Sequence, residues 1–95
     1  MLINLGRLYI DMKKYDLARE KLEEGIKRVE RVGDVYWTAV GYEYLGLLER
    51  ELGRYEKALG FLKRARELYI RAGASHKASD VDAVITFTIL PRLEE

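Results

Sequence analysis

The chain has 95 residues, with 17 Lys+Arg against 16 Asp+Glu, one histidine and no cysteine. That length is one domain's worth of chain, and the even charge removes the markedly basic surface on which a nucleic-acid reader depends. Without cysteine there is no disulfide frame and no thiolate metal site, and His76 alone leaves an imidazole site one ligand short.

No apolar run approaches the ~18–20 residues of a membrane span, and the start lacks the layout of a signal peptide. An intracellular, cytoplasmic protein is expected. Glutamine and cysteine are absent, asparagine occurs once (Asn4), and Glu, Lys and Arg abound, a bias shared with thermophile proteins. His76 is expected on the surface, in the first turn of a helix.

From the start to about Met12, Leu2, Leu5, Leu8, Tyr9 and Met12 recur at helical spacing and predict an apolar stripe. Lys13-Lys14 makes a turn. Tyr15, Ala18, Leu22, Gly25, Ile26, Val29 and Val32 then fall three or four apart on one face of a second helix. Gly33 suits a left-handed cap that ends it, and Asp34 can cap the next helix by accepting from its free N–H groups.

The third helix, about Val35 to Leu52, carries two apolar stripes: Gly41, Leu45, Leu48, Leu52, and Trp37, Val40, Tyr44, Leu47 running into Glu51. Gly53 closes it. A fourth follows through Tyr55, Ala58, Leu59, Leu62, Ala65, Leu68, Tyr69 and Ala72 to Gly73. Ser75 is expected to cap a fifth helix ending near Leu90. Val84–Ile89 is β-branched and alone would read as a strand. Helix is preferred because no other strand exists to pair with, and Pro91 is expected to stop it.

The second pair of helices repeats the first. Leu5-Gly6 precedes Leu45-Gly46 by 40 residues, and the same offset links Leu8 to Leu48, Tyr15 to Tyr55, Ala18 to Ala58, Leu22 to Leu62 and Gly33 to Gly73. Such self-similarity marks a helical-repeat array. Glycine inside a helix costs about 1 kcal/mol relative to alanine, so Gly6 and Gly46 should be compensated by close approach of a neighbouring helix, at points where Ala18 and Ala58 are also small. Lys13 stands where Gly53 stands in the second copy, which implies a looser or strained first turn.

These residues resemble the tetratricopeptide repeat family, in the Leu-Gly pair of each first helix and the tyrosine and alanine opening each second helix. Tyr9 occupies the family's aromatic position in the first copy; Glu49 replaces it in the second. The usual period is ~34 residues, so the 40-residue offset resembles a longer variant with extended helices, known in regulatory and cargo-adaptor proteins. The proline usual after each second helix is missing, and Thr86 stands where a third Leu-Gly glycine would be. The expected architecture is all-α: one domain over 1–95, a helical-repeat solenoid of two antiparallel helix hairpins (1–33 and 35–73) plus a C-terminal closing helix (75–90).

The resemblance implies a concave surface, lined by the first helix of each hairpin, that binds peptides. Removing inward-packing positions leaves Asn4, Arg7 and Asp11 on the first helix, and Trp37, Val40, Tyr44, Leu47 and Glu51 on the third. Aromatics and Arg are favoured at binding hot spots. Ordinary core packing of Trp37 and Tyr44 against the first or fifth helix is the competing reading. The family's carboxylate clamp uses lysine and asparagine, and Ile3, Arg7, Glu43 and Leu47 in the comparable places do not support it.

No glycine-rich phosphate loop, nucleophile elbow or metal spacing appears, and Glu23-Glu24 or Glu49 and Glu51 do not share a helix face. No enzyme, cofactor or metal is therefore expected, and the long charge-balanced helices do not read as a DNA-binding helix-turn-helix. The expected function is a protein–protein interaction scaffold holding a partner's peptide or helix in a groove. The alternative is a self-associating module, a homodimer or helix-swapped oligomer whose groove holds another copy. By the 40-residue register the first helix is short by several residues and lacks a polar cap. Ile85, Phe87, Ile89 and Leu90 also present more apolar surface than one hairpin covers. Both features favour self-association.

Overall fold

A computed structural model describes residues 1–95 and contains no strand. The elements are α1 (Leu2–Asp11), α2 (Tyr15–Arg31), α3 (Val35–Glu51), α4 (Tyr55–Arg71), α5 (Ser75–Val84), a π-helical turn (Ile85–Ile89) and α6 (Leu90–Leu93). Helices α1 and α2 pack as one hairpin and α3 and α4 as the next. Helix α3 also touches α1 and α2, and α5 lies against α4. The Cα atoms span 40 × 31 × 16 Å, the short dimension suiting two helix layers at ordinary packing distance.

One cap ends each of the first four helices. Gly33, Gly53 and Gly73 sit at φ 74, 76 and 77°, and the residue after each donates to a carbonyl five positions back: Asp34 to Val29, Arg54 to Glu49 and Ala74 to Tyr69, at 2.8–2.9 Å. That pattern satisfies the carbonyls left free at a helix end. Lys13 makes the same turn at φ 61°, with Lys14 N–H donating to the Tyr9 carbonyl at 2.8 Å. The strain expected there is present. Asp34 caps α3 as expected, its Oδ1 accepting from the Trp37 N–H at 3.0 Å.

The mid-helix glycines mark crossings. A Cβ at Gly6 would lie 2.5 Å from Leu22 Cγ, and one at Gly46 would lie 2.6 Å from Leu62 Cγ and 3.3 Å from the Ala58 carbonyl. Ala18, Ala58, Leu22 and Leu62 are fully buried at these points. Gly25 and Gly41 are close-packed too, against Ile3 and Ile26, whereas Gly60 faces open space.

Several expectations are corrected. The buried face of α1 is Ile3, Gly6 and Ile10, and Leu8 and Met12 of the expected stripe are exposed. Val32, expected on the packed face of α2, is 77% exposed, because the helix has ended at Arg31. Ser75 does not cap α5: Ala74 holds that position and no side chain bonds there. Pro91 does not stop the helix but lies in the first turn of α6. A proline ring collides with the carbonyl four residues back and offers no N–H. Here the wider π turn over Ile85–Ile89 replaces regular helix pairing just before it. Of the apolar residues expected to lie open at that end, Ile85 and Ile89 are buried, while Phe87 and Leu90 remain exposed.

Candidate protein-binding face

Helices α1 and α3 meet, and their contact brings together residues 37 positions apart in the chain: the Arg7 guanidinium lies 5.5 Å from the centre of the Tyr44 ring. Arg7 Nε is also 3.5 Å from Asp11 Oδ1, one turn on, with both side chains roughly half exposed. A cation over an aromatic face gains from the ring quadrupole. The pairing holds Tyr44 between core and solvent, and the ring packs partly against the buried cluster.

The other expected face residues divide. Asn4, Asp11 and Glu51 are exposed, and Glu51 lies 3.8 Å from Arg50. Trp37 is half-buried, packs on the core and meets Tyr36 edge-on at 5.9 Å. Val40 and Leu47, however, are only 5% and 7% exposed. They are closed to solvent and do not offer the open apolar stripe expected of Trp37, Val40, Tyr44 and Leu47.

Three features were not legible as site elements. Phe87, 40 positions beyond Leu47, is 77% exposed; the sequence marked it as surplus apolar surface and not as part of a partner-binding face. Beside it, Arg50 Nη1 donates to Thr88 Oγ1 at 3.2 Å and joins α3 to the π turn. Next, the Tyr69 hydroxyl, fully buried, donates to Glu43 Oε1 at 2.6 Å. The Tyr36 ring stands 5.6 Å away and the Lys77 ammonium 5.6 Å from the Tyr69 centroid, so α3, α4 and α5 converge there. Burial, and then the bond to Glu43, push the Tyr69 hydroxyl far above its ordinary value. Finally, Glu49, read as a missing aromatic, is fully buried. Its Oε1 accepts from Arg19 of α2, and Arg54 Nη1 stands 3.6 Å from Oε2, an ionic contact too long for a hydrogen bond.

Between α2, α3 and α4, Ile26, Tyr42, Leu45 and Phe61 line a groove of about 370 Å³ whose rim is Glu23, Lys27 and Glu30. Tyr42 and Phe61 stack at 6.1 Å, and the Arg64 guanidinium covers Tyr42 at 4.9 Å. No three His, Cys, Asp or Glu side chains gather as metal ligands would, and no helix is long and apolar enough to cross a membrane.

Stacked helix hairpins with glycine crossings, and surface aromatics and charges above a packed core, define a helical-repeat protein whose faces are available for recognition. A family model described as tetratricopeptide repeat matches residues 1–71. The chain belongs to the tetratricopeptide repeat family, whose members are generally protein–protein interaction modules. No curated protein and no solved structure gave a match.

Proposed function

We propose that this chain is a scaffold that receives a peptide or helix of a partner protein across the face shared by α1 and α3. The observation that carries the reading is Arg7 poised over Tyr44 at 5.5 Å: an aromatic and an arginine, both partly exposed, bridging two repeats. Arg and Tyr dominate measured hot spots, and each brings apolar area together with a polar tip.

Asn4 and Asp11 on α1 and Glu51 on α3 supply polar and acidic contacts at the surface, and Phe87 of the π turn supplies an exposed apolar side chain. An amphipathic helix or extended peptide with an apolar anchor and mixed charge fits such a surface. A nucleic-acid backbone does not, since its phosphates would meet Asp11 and Glu51.

The experiment is affinity capture on the immobilised chain, followed by calorimetric titration of the captured protein against variants. Tyr44→Ala is expected to weaken binding by about 1–3 kcal/mol with helicity unchanged by circular dichroism. Lys27→Ala and Lys63→Ala, on α2 and α4, are expected to have no effect. Binding lost with the lysines and retained without Tyr44 would place the partner on the opposite layer and end this reading.

A further inference from the structure

The contact between the two hairpins is open where its successor is bridged. Ile26 of α2 and Tyr42 of α3 line the groove there, with Phe61 of α4 stacked on Tyr42. Forty residues on, the counterparts of Ile26 and Tyr42 are Arg66 and Asp82, which join α4 to α5 by an ion pair of 2.8 Å. One contact is thus spanned by the chain itself, and the other presents apolar surface with two aromatic rings. All three walls are internal helices with packed neighbours before and after them, so the opening is a property of the stack and not of a chain end.

The two rims differ in charge. Along α2, Glu20, Glu23, Lys27 and Glu30 recur three or four positions apart and share one exposed face. No ion pair of the molecule engages any of them. Even with Lys27 matched to one neighbour, two carboxylates have no cation. Glu30 stands in the last turn of α2, where the helix dipole disfavours a carboxylate, so helix formation does not account for it. Along α4, Lys57, Phe61, Arg64 and Arg71 share a face by the same helical spacing. Lys57, Arg64 and Arg71 are exposed and likewise outside every ion pair. Arg64 covers the Tyr42 ring at 4.9 Å, which brings this basic rim to the groove. An acidic rim therefore faces a basic one across an apolar floor, and no ion pair joins them.

We propose that this groove is a second protein-docking surface, which takes an amphipathic helix of a partner protein. Apolar side chains of that helix enter between Ile26, Tyr42 and Phe61. Lys or Arg along one edge meets the glutamates of α2, and Asp or Glu along the other meets Lys57, Arg64 and Arg71. The groove, about 370 Å³, holds the anchoring side chains, while a helix ~10–12 Å across lies along the rims. Rims of opposite sign fix the direction in which it lies. Neither Arg7 nor Tyr44 takes part, and the proposal does not rest on the reading of the α1–α3 face.

The test is fluorescence anisotropy of the 95-residue chain against synthetic helical peptides of about 18 residues that share one row of leucines. One peptide carries lysine along one edge and glutamate along the other; a second has lysine on both edges and a third glutamate on both. The mixed peptide should bind at least about tenfold more tightly than either of the others, and more weakly as salt rises. Joint Glu23→Lys and Glu30→Lys should weaken it at least about tenfold with an unchanged thermal melt, and the glutamate-edged peptide should gain. Phe61→Ala tests the floor of the groove, and the charge reversal reads the same site if that variant folds poorly.

No binding of the mixed peptide by about 100 µM overturns the proposal. So does equal binding of all three peptides, or binding that both the charge reversal and Phe61→Ala leave intact. Binding lost with Tyr44→Ala but kept with those variants puts the peptide on the α1–α3 face, which overturns the groove and leaves the first reading standing. A chain that dimerises in sedimentation, and no longer does so as Phe61→Ala, has a second copy in the groove, and that overturns a foreign partner.

Discussion

The two hairpins are near copies, yet corresponding residues lead different lives. Leu48 is fully buried and Leu8 is 51% exposed; Gly53 turns at φ 76° without side-chain strain and Lys13 makes the same turn at 61° with it. Tyr9 is half-buried, while Glu49 is sealed from solvent between Arg19 and Arg54. Local pattern determined the helices, their turns and the glycine crossings in both copies. Position in the stack determined what each side chain touches. In a repeat array burial comes from neighbours, and α3 has hairpin one on one side and α4 on the other, while α1 has one covered side.

Substitutions can break or sharpen this comparison. The largest loss is expected from Gly46→Leu, because even one added carbon would meet Leu62 and the Ala58 backbone. A whole leucine should cost several times the ~1 kcal/mol of helix propensity and in the opposite sense. Chemical denaturation equal to wild type would remove the close-packing argument. Leu48→Ala is next, at about 2–5 kcal/mol for a fully buried leucine. Leu8→Ala should cost at most about 0.5 kcal/mol. Equal losses at Leu8 and Leu48 would mean that the hairpins are not in different environments.

Glu49→Ala should cost about 2–4 kcal/mol, since it leaves Arg19, partly buried, without its partner. Glu49→Met should restore most of that loss, as well-packed apolar replacements of buried pairs often do; failure to restore it would make the charge itself indispensable. The smallest effects belong to the turns. Lys13→Gly should stabilise and Gly53→Lys destabilise, each by about 1 kcal/mol, because a side chain in the left-handed region costs about that much. A thermal melt that moves the same way for both would refute the shared-cap reading.

High pH probes a different contact. The Tyr69 hydroxyl is held protonated by burial and Glu43, above its ordinary value near 10. Below that ordinary value both folded and unfolded tyrosine keep the proton, and the contribution is fully present. Above it the unfolded chain gives up a proton that the folded chain retains, so stability falls as pH rises. Tyr69→Phe should flatten that fall in denaturation curves above pH ~10.

What the sequence did and did not disclose follows the same division. Helix spans, Asp34 as a cap and Gly6 and Gly46 as crossings were legible because each depends on residues a few positions apart or on an exact repeat. Glu49 was not legible, since its partner Arg19 is 30 positions away and nothing local predicts the pairing. Val40 and Leu47 were misjudged because helical spacing gives a face without saying what covers it. At Ile85–Ile89 β-branched propensity yielded to packing, and the π turn that accommodates Pro91 has no pattern of its own. Of the expected face residues, Arg7 and Tyr44 meet by contact, while Asn4, Asp11 and Glu51 are exposed on the same two helices.

The buried Glu49 carboxylate has a consequence for how the molecule comes apart. Its main cation, Arg19, belongs to the other hairpin, so peeling hairpin one away breaks a short, partly buried ion pair and leaves Glu49 only the longer contact with Arg54. Repeat arrays can fray one unit at a time when interfaces are weak relative to the units. Here the ion pair raises the energy of the half-open form above what apolar contacts alone would set. Amide protons of α2 and α3 should therefore exchange with solvent through one shared opening, and the two hairpins behave as a single cooperative unit.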